Sequence, residues 1–466
     1  MLDTYQNLIL PDLRQMVAEG DSHGVTEFCR VVHPVVMGEM LEQLSDAEVW
    51  QVLDHAELDQ RVEIFENINL RRQTELVETL DSGRLSELLE NMSSDDRVDL
   101  LTRMPSGRRE DVLRMIAQAE RNDIRRLLSY DENSAGSLMT TEYASLPADI
   151  TVRDALNRLR EQAPNSETIY YVYILGDHRC LEGLVTLREL ILARPDAVVS
   201  EIMQRDVVRL YVTDQRENVA QELARYDLIA MPIVDAENRL VGIVTHDDAL
   251  DVVQEEATED AYLQSAVQPL DDLYQDSPML TILWKRGVWL LFLSFVALLT
   301  AKVLDHYRIA TESGHLADQA PPDLTTLILL FLPLVMASGG NAGSQSATLF
   351  IRMLALSPTD SLNSPPVVSR RVQMRELAIA TMLGSALATL DFLVAWLVLD
   401  KSPAEAGAIA TTVFAVVLFG TCAGTAFPLL FRRLGMDPAL MSNPLIAALV
   451  DVLGVVFFYE IAMFLL

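Results

Sequence analysis

The 466-residue chain has only three cysteines, Cys29, Cys180 and Cys422, far apart in sequence. They build neither a disulfide framework nor a zinc-type spacing, which suits a reducing compartment. Seven histidines are scattered, and no P-loop or Ser/His/Asp set accompanies them, so nothing supports an enzyme. The opening residues, Met1 to Leu13, have no basic start and no long apolar run, so no signal peptide is expected. Basic residues are also few, 36 against 67 acidic ones, for a net charge of −31. Phosphate would be repelled by such a surface, which argues against nucleic acid as a partner and favours cations.

Half the residues are hydrophobic, and the mean hydropathy is +0.20, unusual for so acidic a chain. Charge and apolarity must therefore occupy different regions. Residues 281–466 hold 12 acidic and 11 basic residues, which leaves 55 and 25 for residues 1–280. The first block reads as acidic and soluble, the second as nearly neutral and apolar.

Crossing a bilayer of roughly 30 Å takes about 20 helical residues. Five segments qualify, near 284–304, 324–350, 374–399, 406–431 and 440–465. Gly339 and Gly340 in the second and Pro444 in the fifth predict that neither is a plain helix. Lys285 and Arg286 precede the first span, Arg352, Arg370, Arg371 and Arg375 follow the second, and Arg432 and Arg433 follow the fourth. The other two loops hold only Arg308 and Lys401. The positive-inside rule then makes the soluble block cytoplasmic and the C-terminus external, in the cytoplasmic membrane.

Residues 1–131 read as short amphipathic helices punctuated about every 12 residues, a superhelical solenoid of helix pairs. Residues 132–252 contain a duplication. Tyr171 through Thr186 matches Ala230 through Thr245, displaced by 59 residues. Each copy reads strand, turn, strand, helix, and the openings Leu138-Met139 and Ile202-Met203 match too. The pattern, with its Gly-[Leu/Ile]-Val-Thr turn, resembles a pair of cystathionine-β-synthase (CBS) domains, divided at 132–200 and 201–252. Such a resemblance implies an α/β fold and a possible ATP site, with Thr245 and Asp248 as the ribose contacts. Residues 253–280 are expected to connect the pair to the spans. One long helix is predicted from Asp247 to about Pro278, with Asp248, Asp251, Glu255 and Glu259 on one face. That stripe reads either as a solvated linker face or as a cation site near the inner mouth of a pore.

Carboxylates inside a membrane are costly and mark function. Asp391, Asp451 and Glu460 lie within spans, Glu460 where it can reach water at the outer end. Asn443, Ala447 and Asp451 share a helix face, and Pro444 is expected to free a carbonyl. In span two, Gly339, Gly340 and Gly343 permit either close helix contact or an unwound stretch. Asn341 and Gln345 are expected to line the pore, since burying two amides without use is wasteful.

Three motifs together resemble the MgtE family of magnesium channels: Gly339-Gly340-Asn341-Ala342-Gly343-Ser344-Gln345-Ser346, the Asp437-Pro438-Ala439 turn with Asp451, and Tyr130 through Thr140 before the CBS pair. The resemblance covers essentially the whole chain. It implies a multidomain membrane protein that forms a homodimer. Each copy would have an all-α superhelical N domain, an α/β CBS pair, a connecting helix, and an α-helical five-span transmembrane domain over 281–466. It implies that Asp451 binds hydrated magnesium in the pore, that Ala447 contributes its carbonyl, and that Asn443 shares the pore wall. It implies regulatory magnesium at Asp227, Asp248, Asp251, Glu256, Glu259 and Asp437, with Asp95, Asp96 and Glu217 in looser correspondence. Ser344 departs from the family, where some members carry Asn, and a minor effect on pore hydration is expected. Competing readings are a transporter of cobalt or manganese and a nucleotide-sensing membrane scaffold. The absence of soft ligands among the pore candidates favours a hard cation, and an anchor would not need Asp451.

Overall fold

The computed structural model describes residues 2–116, 118–270, 274, 277–312, 324–355, 370–434, 436–440 and 443–466. The chain divides into two compact units, Met1–Val253 and Gln254–Leu466.

The first unit begins with ten helices, α1 (Leu2–Glu19) to α10 (Gln118–Leu127), the last nine only 8–10 residues long. The N-caps His33, Ser45, Glu57, Asn69, Asp81, Ser93 and Pro105 stand 12 residues apart. That interval is one helix plus one turn, so each helix presents its apolar side to the same core. Met37, Met40, Leu53, Phe65, Leu76, Leu89 and Leu101 fill that core. Isolated helices of this length are marginal in water, so burial of this stripe holds them folded.

The duplicated module forms two three-stranded sheets. β1 (Tyr143–Leu146), β2 (Thr168–Leu175) and β3 (Leu181–Thr186) make one, β4 (Leu210–Tyr211), β5 (Ala230–Val234) and β6 (Leu240–Thr245) the other. The two antiparallel pairs share a register, Ile174 opposite Gly183 and Ile233 opposite Gly242, each followed by a shift at the next residue. The matching openings cross over. Thr140 and Ile243 exchange backbone hydrogen bonds, as do Gln204 and Leu184. Each opening thereby completes the other copy's sheet. This exchange explains the glycine of the repeated turn. A Cβ at Gly183 would lie 2.9 Å from Gln204 O, and one at Gly242 2.7 Å from Thr140 O, both closer than packed atoms allow.

α8 (Ser94–Arg103) docks the solenoid on this module. Ser94 Oγ lies 2.9 Å from Thr140 Oγ1 and accepts from Thr141 N at 2.9 Å. Val98 joins Met139, Val219 and Met231 in one apolar cluster.

α16 (His246–Gln264) is a single helix, but it does not run to Pro278 as the sequence suggests. Ala266 adopts φ 56°, Ala266 N donates to Leu263 O, and Val267 N to Tyr262 O. This paired pattern is a Schellman stop. Alanine rather than glycine occupies the left-handed position, so the usual sequence mark is missing. Residues 271–273, 275 and 276 of the expected connection lie outside the described residues.

The second unit contains five helices long and apolar enough to cross a membrane. They are α17 (Met279–Glu312), α18 (Leu324–Ala355), α19 (Arg370–Leu397), α20 (Pro403–Arg433) and α21 (Asn443–Leu465). Contrary to expectation, α18 is unbroken through Gly339 and Gly340. The glycines serve close approach instead. A Cβ on Gly420 would lie 2.4 Å from Gly339 O, and one on Gly424 2.4 Å from Gly343 O. Small residues let backbones touch where lipid gives no hydrophobic drive for association. Pro444 likewise lies in the first turn of α21, where no intrahelical amide is expected, so it frees no interior carbonyl.

Candidate transport site and acidic clusters

α18 and α21 run antiparallel, with Val335 near Gly454, Gly339 near Val450, Gly340 near Ala447 and Gly343 near Ile446. At the end of this seam the side chains of Asn443 and Thr348 meet. Asn443 Nδ2 donates to Thr348 Oγ1 at 3.2 Å, and Ser344 Oγ donates to Asn443 O at 3.3 Å. The Ser344 hydroxyl thereby supports the first residue of α21.

Asn443, Ala447 and Asp451 are each half-buried. At 100° per residue they spread over about 80° of one helix face and about 12 Å of its length. Asp451 therefore stands on a wall it shares with an amide and a backbone stretch. Asn341 and Gln345 are exposed in the single chain, and with Thr348 they form a polar stripe along α18.

In the same unit the second half of α16 gathers charge. Burial pushes the Asp260 carboxyl up to about 6, helped by the carboxylates of Asp437, Glu256 and Glu259. Asp437 itself caps a short turn, its Oδ1 accepting from Ala439 N at 2.8 Å. Glu256, Glu259 and Asp437 stand out in the sequence, whereas Asp260 lies off the predicted stripe. Only the turn after α20 brings its partner Asp437 near.

The first unit holds a separate acidic cluster. Asp95 and Asp96 open α8, and burial raises both, Asp96 to about 6, with neighbouring carboxylates, including Asp247 and Asp248 on Asp96, adding to it. Asp248 is raised by burial and then by Asp95. Burial also pushes Glu66 up to about 7, with Asp95, Asp96 and Glu142 contributing, while Ser93 N donates to its Oε1 at 2.8 Å. Glu66, Glu142 and Glu167 went unnoticed in the sequence, since α5 (Leu58–Glu66) and the CBS strands are distant along the chain. Arg97, 5% exposed, reaches Glu142 at 3.4 Å. No three His, Cys, Asp or Glu side chains among the described residues converge on one point. The clusters concentrate charge without forming a ready coordination cage.

The remaining candidates lie apart from these groups. Asp251 is exposed on α16. Glu217 opens α15 (Arg216–Tyr226) and holds Gln221 Nε2 at 3.0 Å. Asp227 closes the same helix at φ 53°, a left-handed cap that Asp tolerates. Thr245 Oγ1 donates to Asp248 Oδ2 at 2.6 Å, as Thr186 Oγ1 does to Glu189 Oε2 at 2.8 Å in the first copy. Asp248 keeps a second oxygen, which fits a ribose hydroxyl. The charges acting most strongly on it are carboxylates, so this pair offers a triphosphate no support of its own.

Five helices long and apolar enough to cross a membrane, with hard oxygen donors along one seam, in a chain that also carries a helical solenoid and a CBS pair, fit the class of divalent cation transporters. Family comparison agrees. The divalent cation transporter model of MgtE matches residues 332–461, the MgtE intracellular N domain matches 32–133, and CBS domains match 135–196 and 199–255. The chain is 38% identical over 337 residues to the magnesium transporter MgtE of Thermus thermophilus, covering 72% of this chain and 71% of that protein. It is 30% identical to that of Enterococcus faecalis, covering 72% and 69%. The soluble part of a magnesium transporter superposes with a TM-score of 0.52 at 29% identity, covering 54% of this chain and 99% of that one. The cytosolic domain of the Mg2+ channel MgtE, solved with ATP, gives 0.50 at 35%, covering 52% and 99%. The chain belongs to the MgtE family of magnesium transporters, as its sequence motifs implied.

Proposed function

We propose that the chain carries magnesium across the cytoplasmic membrane as a homodimer, through a pore lined by α18 and α21 of both copies. The observation that carries this reading is the polar seam itself. Asn443, Ala447 and Asp451 share one face of α21, while Asn341, Gln345 and Thr348 stand open on α18. Polar groups in a membrane need a partner or water, and a second copy about a twofold axis supplies both. Magnesium sheds water reluctantly, so paired Asp451 carboxylates hold the hydrated ion by outer-sphere contact. Two such charges about 6 Å apart at an effective dielectric near 20 repel by roughly 3 kcal/mol, which an entering dication relieves.

Gating follows from the acidic clusters. Asp95, Asp96 and Asp248, then Glu256, Glu259, Asp260 and Asp437, take cytosolic magnesium, with Asp251, Asp227 and Glu217 as outlying sites. Carboxylates crowded together gain from a dication that offsets their repulsion, so filling them draws acidic faces together and closes the pore. Several weak sites acting together give a steep response. ATP enters as a second ligand at Thr245 and Asp248, supported by the MgtE cytosolic domain solved with it; its charge requires accompanying magnesium. The soluble block lies in the cytosol and the C-terminus outside.

Magnesium flux into proteoliposomes, with magnesium varied on the side of the soluble block, tests this reading. Flux should fall as that magnesium rises, and the double variant Asp248→Ala/Asp251→Ala should stay open. Closure of the double variant at the wild-type concentration refutes the gating scheme.

A further inference from the structure

Glu460 lies on α21 nine residues beyond Asp451, which places it about 180° around the helix and about 14 Å along it. It therefore faces away from the proposed pore wall. Tyr307 Oη donates to Glu460 Oε1 at 2.8 Å, and the Tyr307 ring stacks on Tyr459 at 4.7 Å and 17°. Val303, Leu304 and Tyr307 are the residues of α17 that pack on the membrane core, where Tyr459 and Phe458 are fully buried. Much of the rest of α17 is exposed, including Leu283, Trp284, Leu291, Phe295 and Leu298. At its opposite end Lys285 O accepts from Gln268 N at 3.2 Å, and Lys285 Nζ donates to Pro269 O. Those residues directly follow the stop of α16. The rod between Lys285 and Tyr307 spans about 33 Å, tied at one end to the segment after the acidic helix and at the other to the helix that carries Asp451.

We propose that Tyr307 and Glu460 are positioning residues that couple the acidic helix α16 to the pore helix α21 through α17. Displacement of α16 on magnesium binding pulls on Gln268 and Pro269 and so on α17. The Tyr307–Glu460 bond, at the far end of α17, passes that movement to α21. Without it, α17 slides over Tyr459 and α21 follows α16 less closely. This inference rests on the gating reading above.

The test uses full-length protein in proteoliposomes, comparing wild type, Tyr307→Phe, Glu460→Gln and the double variant. Tyr307→Phe keeps the ring stack and so keeps the fold. Each single variant should raise the concentration of cytosolic-side magnesium that halves the flux by about fivefold, as expected for one lost hydrogen bond. Maximal flux should be unchanged, and the double variant should shift no further than either single one. Unshifted half-closing concentrations in the single variants, or additive shifts in the double, overturn the coupling. Flux through the wild type that ignores cytosolic magnesium overturns both the coupling and the gating scheme, so the two failures are distinguishable.

Discussion

Asn443 and Thr348 hold each other by their side chains, 3.2 Å from Nδ2 to Oγ1, and so pin the start of α21 to α18. Thr348→Val removes the hydroxyl at nearly constant volume and leaves the amide of Asn443 free to turn. Magnesium flux should drop about fivefold, the worth of one hydrogen bond, with the amount of folded protein unchanged. Equal flux in the two proteins would show that this pair has no part in shaping the pore.

Gly420 packs closely on the backbone of Gly339. A methyl group on Gly420 would meet Gly339 O at 2.4 Å, and backbone cannot step aside as a flexible side chain would. Gly420→Ala should cost about 1–3 kcal/mol and lower the melting temperature in detergent. Gly407→Ala, where a Cβ meets nothing within 4 Å, should leave it unchanged.

The acidic cluster of the first unit sets a pH dependence with a definite sign. Burial lifts Glu66 from 4.5 to about 7 and Asp96 from 3.8 to about 6. Between those limits these two groups hold more protons in the folded state than in the unfolded one, so their contribution to stability is full below about pH 4 and declines as pH rises through 6 and 7. Hydrogen-exchange protection of helix Ser94–Arg103 in the full-length protein, without divalent ions, should fall from pH 5 to pH 8. Glu66→Gln should flatten that fall, and added magnesium should offset it.

Asp260 offers a narrower test of the second cluster. Its carboxyl is raised to about 6 by burial and by Asp437, Glu256 and Glu259. Asp260→Asn removes one charge from the group, so closing the pore should require several-fold more cytosolic magnesium. Direct titration of magnesium-dependent closure in proteoliposomes reads this shift.

Much of the fold was legible because it repeats. The 12-residue spacing of N-caps and the 59-residue duplication are periodic, and periodicity survives in one dimension. The spans were legible because their apolar runs are long and bounded by arginine. What escaped depends on contacts between distant segments. Nothing before the fold says that Gly242 must admit Thr140, or that Gly420 must admit Gly339. Glu66 comes near Asp95 and Asp96 only because the solenoid brings the end of α5 to Ser93 at the start of α8. Asp260 was hidden beside Glu259, off the stripe that helical spacing picks out. The end of α16 was missed because Ala266 takes the left-handed position that glycine normally announces. The proposed pore wall lay between these cases: Asn443, Ala447 and Asp451 share a face by spacing alone, but Ser344 and Thr348, the partners of Asn443, needed the antiparallel packing of α18.

The central claim is that Asp451 supplies the charge that conducts magnesium. Magnesium uptake into proteoliposomes by the full-length protein, wild type against Asp451→Ala, tests it most directly. The account predicts near-complete loss of uptake in a variant that still folds and still melts at the wild-type temperature. Uptake at the wild-type rate would contradict it.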